Sequence, residues 1–134
     1  MKKEGLCHLG LLWLRVLAGS GMAYHGYGKV FGGQMAMMIP GVAKMGFPMP
    51  EFFAWAAALS EFVGGICLVL GLGTRIAAFF ILITMSVAAF ITHAADPFQV
   101  KELAFAYWTA AGALLLTGAG AFSGDARFFG KNTK

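Results

Sequence analysis

The chain reads as an all-α integral membrane protein, a four-helix bundle with an interfacial or re-entrant segment between its first and second helices. Composition is the first ground. Hydrophobic residues make up 59% of the 134 residues and charged residues 12%, whereas a soluble domain carries about 45–50% apolar residues with glycine counted in and about 25% charged. A chain this short forms a single domain, residues 1–134. It cannot hide so much apolar surface from water, because small folds leave a large share of their surface exposed. The second ground is patterning. Apolar residues gather into four spans, approximately residues 6–30, 51–72, 75–95 and 98–122, each close to the ~20 residues that cross a hydrocarbon core as a helix. A spanning strand barrel would need shorter segments that alternate apolar and polar, and none occurs.

The first span is too long for a cleavable signal peptide and carries Arg15 inside it. The connection from Phe31 to Pro50 holds Pro40, Pro48, Pro50, several methionines and Lys44. It is too interrupted to span and is expected to lie over one mouth of the bundle. Gly71, Gly73 and Thr74 make a very short turn, so spans two and three form a tight antiparallel hairpin with Thr74 as N-cap of the third helix. Asp96-Pro97-Phe98-Gln99 offers an N-cap, a proline at N1 and a capping-box partner, which starts the fourth helix near Pro97. Gly118, Gly120 and Gly124 loosen its end.

Basic residues orient the bundle. Lys2, Lys3, Arg75, Arg127, Lys131 and Lys134 fall at one end, against Lys29, Lys44 and Lys101 at the other. The excess places both termini in the cytoplasm. The net charge of +4 is accounted for by flanks facing anionic lipid headgroups, with no nucleic acid implied.

Polar residues inside the spans carry the chemistry. His8, Arg15, Met22, His25 and Lys29 share one stripe of the first helix, and such a stripe points into a bundle. The second helix presents Ala54, Ala57, Glu61, Gly64 and Leu68, the third Arg75, Ser86, Ala89 and His93, and the fourth Glu102, Thr109, Ala113 and Gly120. At ~1.5 Å of rise per residue, Arg15 lies roughly 12 Å and Glu61 roughly 15 Å from the cytoplasmic side. Equal depth makes Arg15 and Glu61 the expected buried charge pair, either a staple fixing helix register or a functional pair.

A ligand pocket is expected toward the outer half of the bundle, under the Phe31–Pro50 segment. His25, His93 and Glu102 come from three helices at similar depth, with Tyr24, Tyr27, Tyr107 and Trp108 at the same level. A planar hydrophobic ligand needs such aromatic surface, and a histidine with a carboxylate can move protons. The competing account is an aromatic belt with polar interface residues. Lys29, Asp96 and Lys101 read as solvated interface residues. The histidines and Glu102 lack a metal-ligand spacing. Cys7 and Cys67 stand singly, without a CxxC pair, and read as reduced or buried thiols. GxGxxG, P-loop and HExxH motifs are absent.

One ordered set of residues remains. It comprises Arg15, His25-Gly26 with Lys29, Gly46-Phe47-Pro48-Met49-Pro50, Glu61 with Gly64-Gly65, Gly71-Leu72-Gly73-Thr74-Arg75, His93, Glu102 and the close Gly118-Ala119-Gly120-Ala121-Phe122-Ser123-Gly124-Asp125. It resembles the DoxX family of small membrane proteins, departing from that family's Gly-Pro-Gly…Ser-Leu-Asp close at Ala119 and Gly124. The resemblance implies a four-helix inner-membrane fold. It also implies a quinone-linked role, because the family is named for relatives of subunits of a membrane thiosulfate:quinone oxidoreductase. On that reading the chain is a subunit that takes electrons from a redox partner protein, since no complete catalytic motif and no flavin, haem or iron–sulfur motif is visible. The other expectation is a non-enzymatic membrane module that binds a hydrophobic small molecule or scaffolds a partner.

Overall fold

The computed structural model describes residues 2–130. All regular structure among these residues is helical. The elements are α1 (Lys3–Phe31), α2 (Met35–Lys44), α3 (Pro50–Leu70), α4 (Thr74–Val87) with a π-helical continuation (Ala88–Thr92), α5 (Phe98–Thr117) and α6 (Gly124–Phe129). Three helical stretches are long and apolar enough to cross a membrane: Lys3–Phe31, Pro50–Leu70 and Thr74–Thr92. α5 completes the bundle as its fourth long helix, and its first turn is more polar, with Gln99, Lys101 and Glu102.

α1 packs chiefly on α3, and α4 lies between α3 and α5. Glycine sets the α1–α3 approach. A Cβ added at Gly19 would lie 2.7 Å from the Gly65 carbonyl oxygen and 2.9 Å from the Val69 nitrogen, so only a hydrogen lets the backbones meet there. The core consists of Met22, Leu68, Ala77, Ala78, Ile81, Met85, Ala111 and Leu114. Larger apolar side chains such as Trp13, Leu17, Ile76, Phe80 and Leu116 point outward, as a lipid-facing perimeter requires. Among the interhelical hydrogen bonds, the Ser60 and Thr84 hydroxyls meet at 3.1 Å, the Trp108 indole donates to Ser86 at 2.9 Å, and Arg75 donates to Leu116 O at 3.2 Å.

The segment between α1 and α3 forms the short helix α2. It buries Met35 and Val42 against Ala54 and Ala58 of α3. Helix ends depart from expectation in three places. α3 closes as expected at Gly71 (φ +68), with Leu72 N–H donating to Cys67 O and Gly71 N–H to Leu68 O, a Schellman motif. Thr74, however, is not the cap of α4. Gly73 takes that position at φ +56, and the carboxylate of Asp125 accepts from Gly73 N–H at 2.7 Å and Thr74 N–H at 3.0 Å. A tertiary carboxylate thus replaces a local hydroxyl at the positive end of the helix. The Asp96 capping box does not form either, because the Asp96 carboxylate is taken by His93 and Pro97 occupies the cap position. Finally, α5 stops at Thr117 rather than near residue 122, since Gly118 turns the chain at φ +78, ψ −164, a conformation open to glycine.

Residues 118–129 fold back across the end of the bundle. The 118–123 loop and α6 form a strap tied down by Asp125 on α4, by Asp125 N–H on Gly71 O at 2.7 Å, and by α1 side chains.

Candidate functional site

The heptad stripe on α1 faces inward along its length and serves both ends of the molecule. His8 Nδ1 accepts from Ala121 N–H at 3.2 Å, and Met22 sits in the core. Arg15 is fully buried and donates to the carbonyls of Ala119 at 2.5 Å and Phe122 at 2.7 Å. Lys29 donates to both carboxylate oxygens of Glu61, at 2.6 and 2.7 Å.

These contacts correct the expected Arg15–Glu61 pair. Both residues are buried, yet they hold different partners. The reason is side-chain direction. Helical side chains lean toward the N-terminus of their own helix, and α1 and α3 run antiparallel. Arg15 therefore leans toward the end where α1 begins and reaches the strap. Glu61 leans the opposite way, toward the end where α3 begins. Lys29, near the end of α1, leans inward to meet it. Equal Cα depth places two charges that lean apart. Lys29 is accordingly an interior ligand of Glu61 and not the solvated interface residue that its position suggested.

The pair is the most unusual electrostatic feature of the bundle. The Glu61 side chain is 2% exposed and that of Lys29 26%, so the carboxylate is sealed while its partner touches the mouth. The seal has a structural origin. Ala54, Ala58 and Glu61 share one stripe of α3, and α2 lies over the two alanines through Met35 and Val42. Tyr107 of α5 completes the surroundings. Its hydroxyl packs on Gly21 of α1, where any Cβ would collide with it, and it lies within electrostatic reach of Glu61. His25 meets the Tyr107 ring edge-on, with centroids 5.9 Å apart, and Tyr24 meets His25 in the same way at 5.9 Å. A carboxylate, an ammonium, a phenol and an imidazole from α1, α3 and α5 thus occupy one region of an apolar bundle. Together they offer hydrogen-bond donors and an acceptor from three helices.

Of the residues expected to line one pocket, the structure joins His25, Tyr24 and Tyr107 and sets His93 and Glu102 apart. His93 Nδ1 bonds Asp96 at 2.7 Å, with both side chains open to the surroundings, and Glu102 is exposed. The π-helical turn explains His93. His93 N–H donates to Ala88 O, five residues back, and this wider turn rotates His93 away from the inward face that Ala89 occupies. The cavity under the α2–α3 connection is small and apolar, about 180 Å³, lined by Met45, Gly46, Phe47, Pro48 and Ile91. A larger apolar groove of about 460 Å³ opens on the outer face between α3 and α4, where Ser60, Val63, Cys67, Ile76 and Phe80 line it. Sequence reasoning did not find this groove, because it depends on how far apart two helices sit.

Lys131 and Lys134, counted toward the basic end, lie outside the described residues. The DoxX family model matches residues 10–94, which takes in Arg15, His25, Lys29, Glu61 and His93. No curated protein and no solved structure matches the chain.

Proposed function

The chain belongs to the DoxX family, and on that premise we propose that it is a membrane subunit of a quinone-linked redox complex, binding a quinone headgroup beside Lys29 and Glu61. The observation that supports this reading is the buried pair itself, set next to Tyr107 and His25. Ionisable groups inside spanning segments are rare and mark proton relays and ligand pathways. Reducing a quinone to a quinol takes two electrons and two protons. A redox partner protein supplies the electrons. Lys29 and Tyr107 donate hydrogen bonds to the carbonyl oxygens, where negative charge develops. Glu61 and His25 carry protons to those oxygens. In this reading the membrane is the plasma membrane and both termini are cytoplasmic. Lys2, Lys3, Arg75 and Arg127 gather at one end with Glu4 and Asp125, whereas Lys29, Lys44 and Lys101 at the other are matched by Glu51, Asp96 and Glu102.

The α3–α4 groove favours a second reading, a non-enzymatic module that holds a hydrophobic small molecule against Cys67 and Val63. One titration separates the two. Protein in lipid nanodiscs is titrated with a short-chain quinone as wild type, Lys29→Met, Glu61→Gln, Tyr107→Phe and Cys67→Trp. Losing one charged hydrogen bond should weaken binding about tenfold in Lys29→Met, while Cys67→Trp, which fills the groove, leaves it unchanged. Equal binding by all variants, or none by wild type, removes the quinone site. Loss confined to Cys67→Trp moves the ligand to the groove.

A further inference from the structure

The strap ends in a helix whose exposed side chains are of the wrong kind for water. In α6, Phe128 is 67% and Phe129 76% exposed, and Phe122 just before it is 53% exposed. Their direction follows from Asp125. Its carboxylate points at the first amides of α4, so the Asp125 side of α6 faces back along the bundle toward the membrane plane. At about 100° per residue, Phe128 and Phe129 lie about 60° to one side and about 40° to the other of Asp125, and Arg127 lies nearly opposite. The two phenylalanines therefore overhang the bundle on its membrane-facing side, and Arg127 points away. At the same end of the bundle Lys2, Lys3 and Arg75 are exposed, with Arg75 also donating to Leu116 O, and Glu4 is the exposed acid among them. The acidic Asp125 is already engaged by Gly73 and Thr74.

We infer that α6 is a membrane-surface anchor that seats on anionic phospholipid. Phe128 and Phe129 enter the boundary between headgroups and acyl chains, and Arg127, Arg75, Lys2 and Lys3 meet the phosphates. Aromatic residues on one face with basic residues on the other is the composition that holds a short helix in the interface, and juxtamembrane basic residues add attraction to an anionic leaflet. The strap supplies rigidity. Asp125 on α4 and Arg15 on the Ala119 and Phe122 carbonyls set the height of α6 before any lipid binds. The inference stands apart from the quinone reading and requires only that the bundle spans a membrane.

The test is a depth measurement on the full chain in bilayers of phosphatidylcholine with phosphatidylglycerol. Spin labels are placed singly at Arg127→Cys, Phe128→Cys and Phe129→Cys in a Cys7→Ser/Cys67→Ala background, and collision with oxygen is compared with collision with a water-soluble nickel chelate. The expected result is an oxygen-to-nickel ratio several-fold higher at positions 128 and 129 than at 127. Equal nickel access at all three positions overturns the inference. So does shielding of 128 and 129 from both reagents, which would mean a protein surface covers them. An Arg75→Glu/Arg127→Glu variant carrying the label at position 129 should lose depth in the anionic bilayer. Unchanged depth there overturns the headgroup preference.

Discussion

Removing Lys29 should destabilise the bundle more than neutralising Glu61, and the asymmetry can be worked from exposure. Lys29→Met leaves a carboxylate that is 2% exposed with no cation beside it. Breaking a buried pair in this way costs about 3–5 kcal/mol, and nothing on the Ala54–Ala58 face of α3 can compensate, because Met35 and Val42 cover it. Glu61→Gln leaves the amide oxygen as an acceptor, and the Lys29 side chain, 26% exposed, can swing its ammonium into the mouth. That substitution should cost about 1.5–3 kcal/mol, the value of one charged hydrogen bond. The Lys29→Met/Glu61→Gln double variant strands no charge and should be more stable than Lys29→Met alone. The interaction energy from the cycle should be about 2 kcal/mol, within the span measured for residues in contact. Unfolding in mixed micelles, followed by tryptophan emission from Trp13, Trp55 and Trp108, gives the four stabilities. A double variant whose cost equals the sum of the single costs to within about 0.5 kcal/mol refutes the pair.

Other expectations test the remaining framework. Arg15→Met leaves the buried Ala119 carbonyl without a donor, a loss of about 1–3 kcal/mol, and frees the more exposed Phe122 carbonyl, so chymotrypsin should cut faster after Phe122. Arg15→Met combined with Glu61→Gln should be additive to within about 0.5 kcal/mol, since the two residues share no partner; a larger coupling would restore a direct Arg15–Glu61 contact. Asp125→Ala removes the cap from α4 at a cost of about 1 kcal/mol, and hydrogen exchange should quicken at the Gly73 and Thr74 amides while the α5 amides are unaffected. Gly65→Val drives a side chain into the Gly19 carbonyl, and overpacking of this kind costs about 1–3 kcal/mol or more. A thermal midpoint in detergent equal to wild type would contradict the close α1–α3 approach.

Most of the fold was legible because lipid imposes simple rules on a chain. Span length, helix periodicity and the Gly71–Thr74 turn are local quantities, and they predicted the bounds of α1, of α3 and of α4 taken with its π-helical continuation to within a few residues. The heptad stripe on α1 was legible for the same reason, with His8, Arg15, Met22 and Lys29 all turning inward. Partner choice was not, because counting Cα depth ignores the lean of each side chain. Applying that lean to Lys29 would have brought it to Glu61 and removed Arg15 from the pair. The π turn before His93 depends on how α4 packs, so periodicity kept His93 on a face that the molecule does not use. Asp125 capping α4 was out of reach for a further reason. The two residues that it joins to α6 lie some fifty positions earlier in the chain, and nothing local to Ser123-Gly124-Asp125 names them.

Photoaffinity mapping tests most directly whether the Lys29–Glu61 region is a quinone site. An azido-quinone is irradiated with the protein in nanodiscs, and the labelled peptides are identified by mass spectrometry. The account predicts label on α1 between Gly21 and Lys29 and on α5 around Tyr107, suppressed by excess unlabelled quinone and reduced in Lys29→Met. Label confined to α3 and α4 around Val63, Cys67 and Phe80, and unaffected by Lys29→Met, would contradict it.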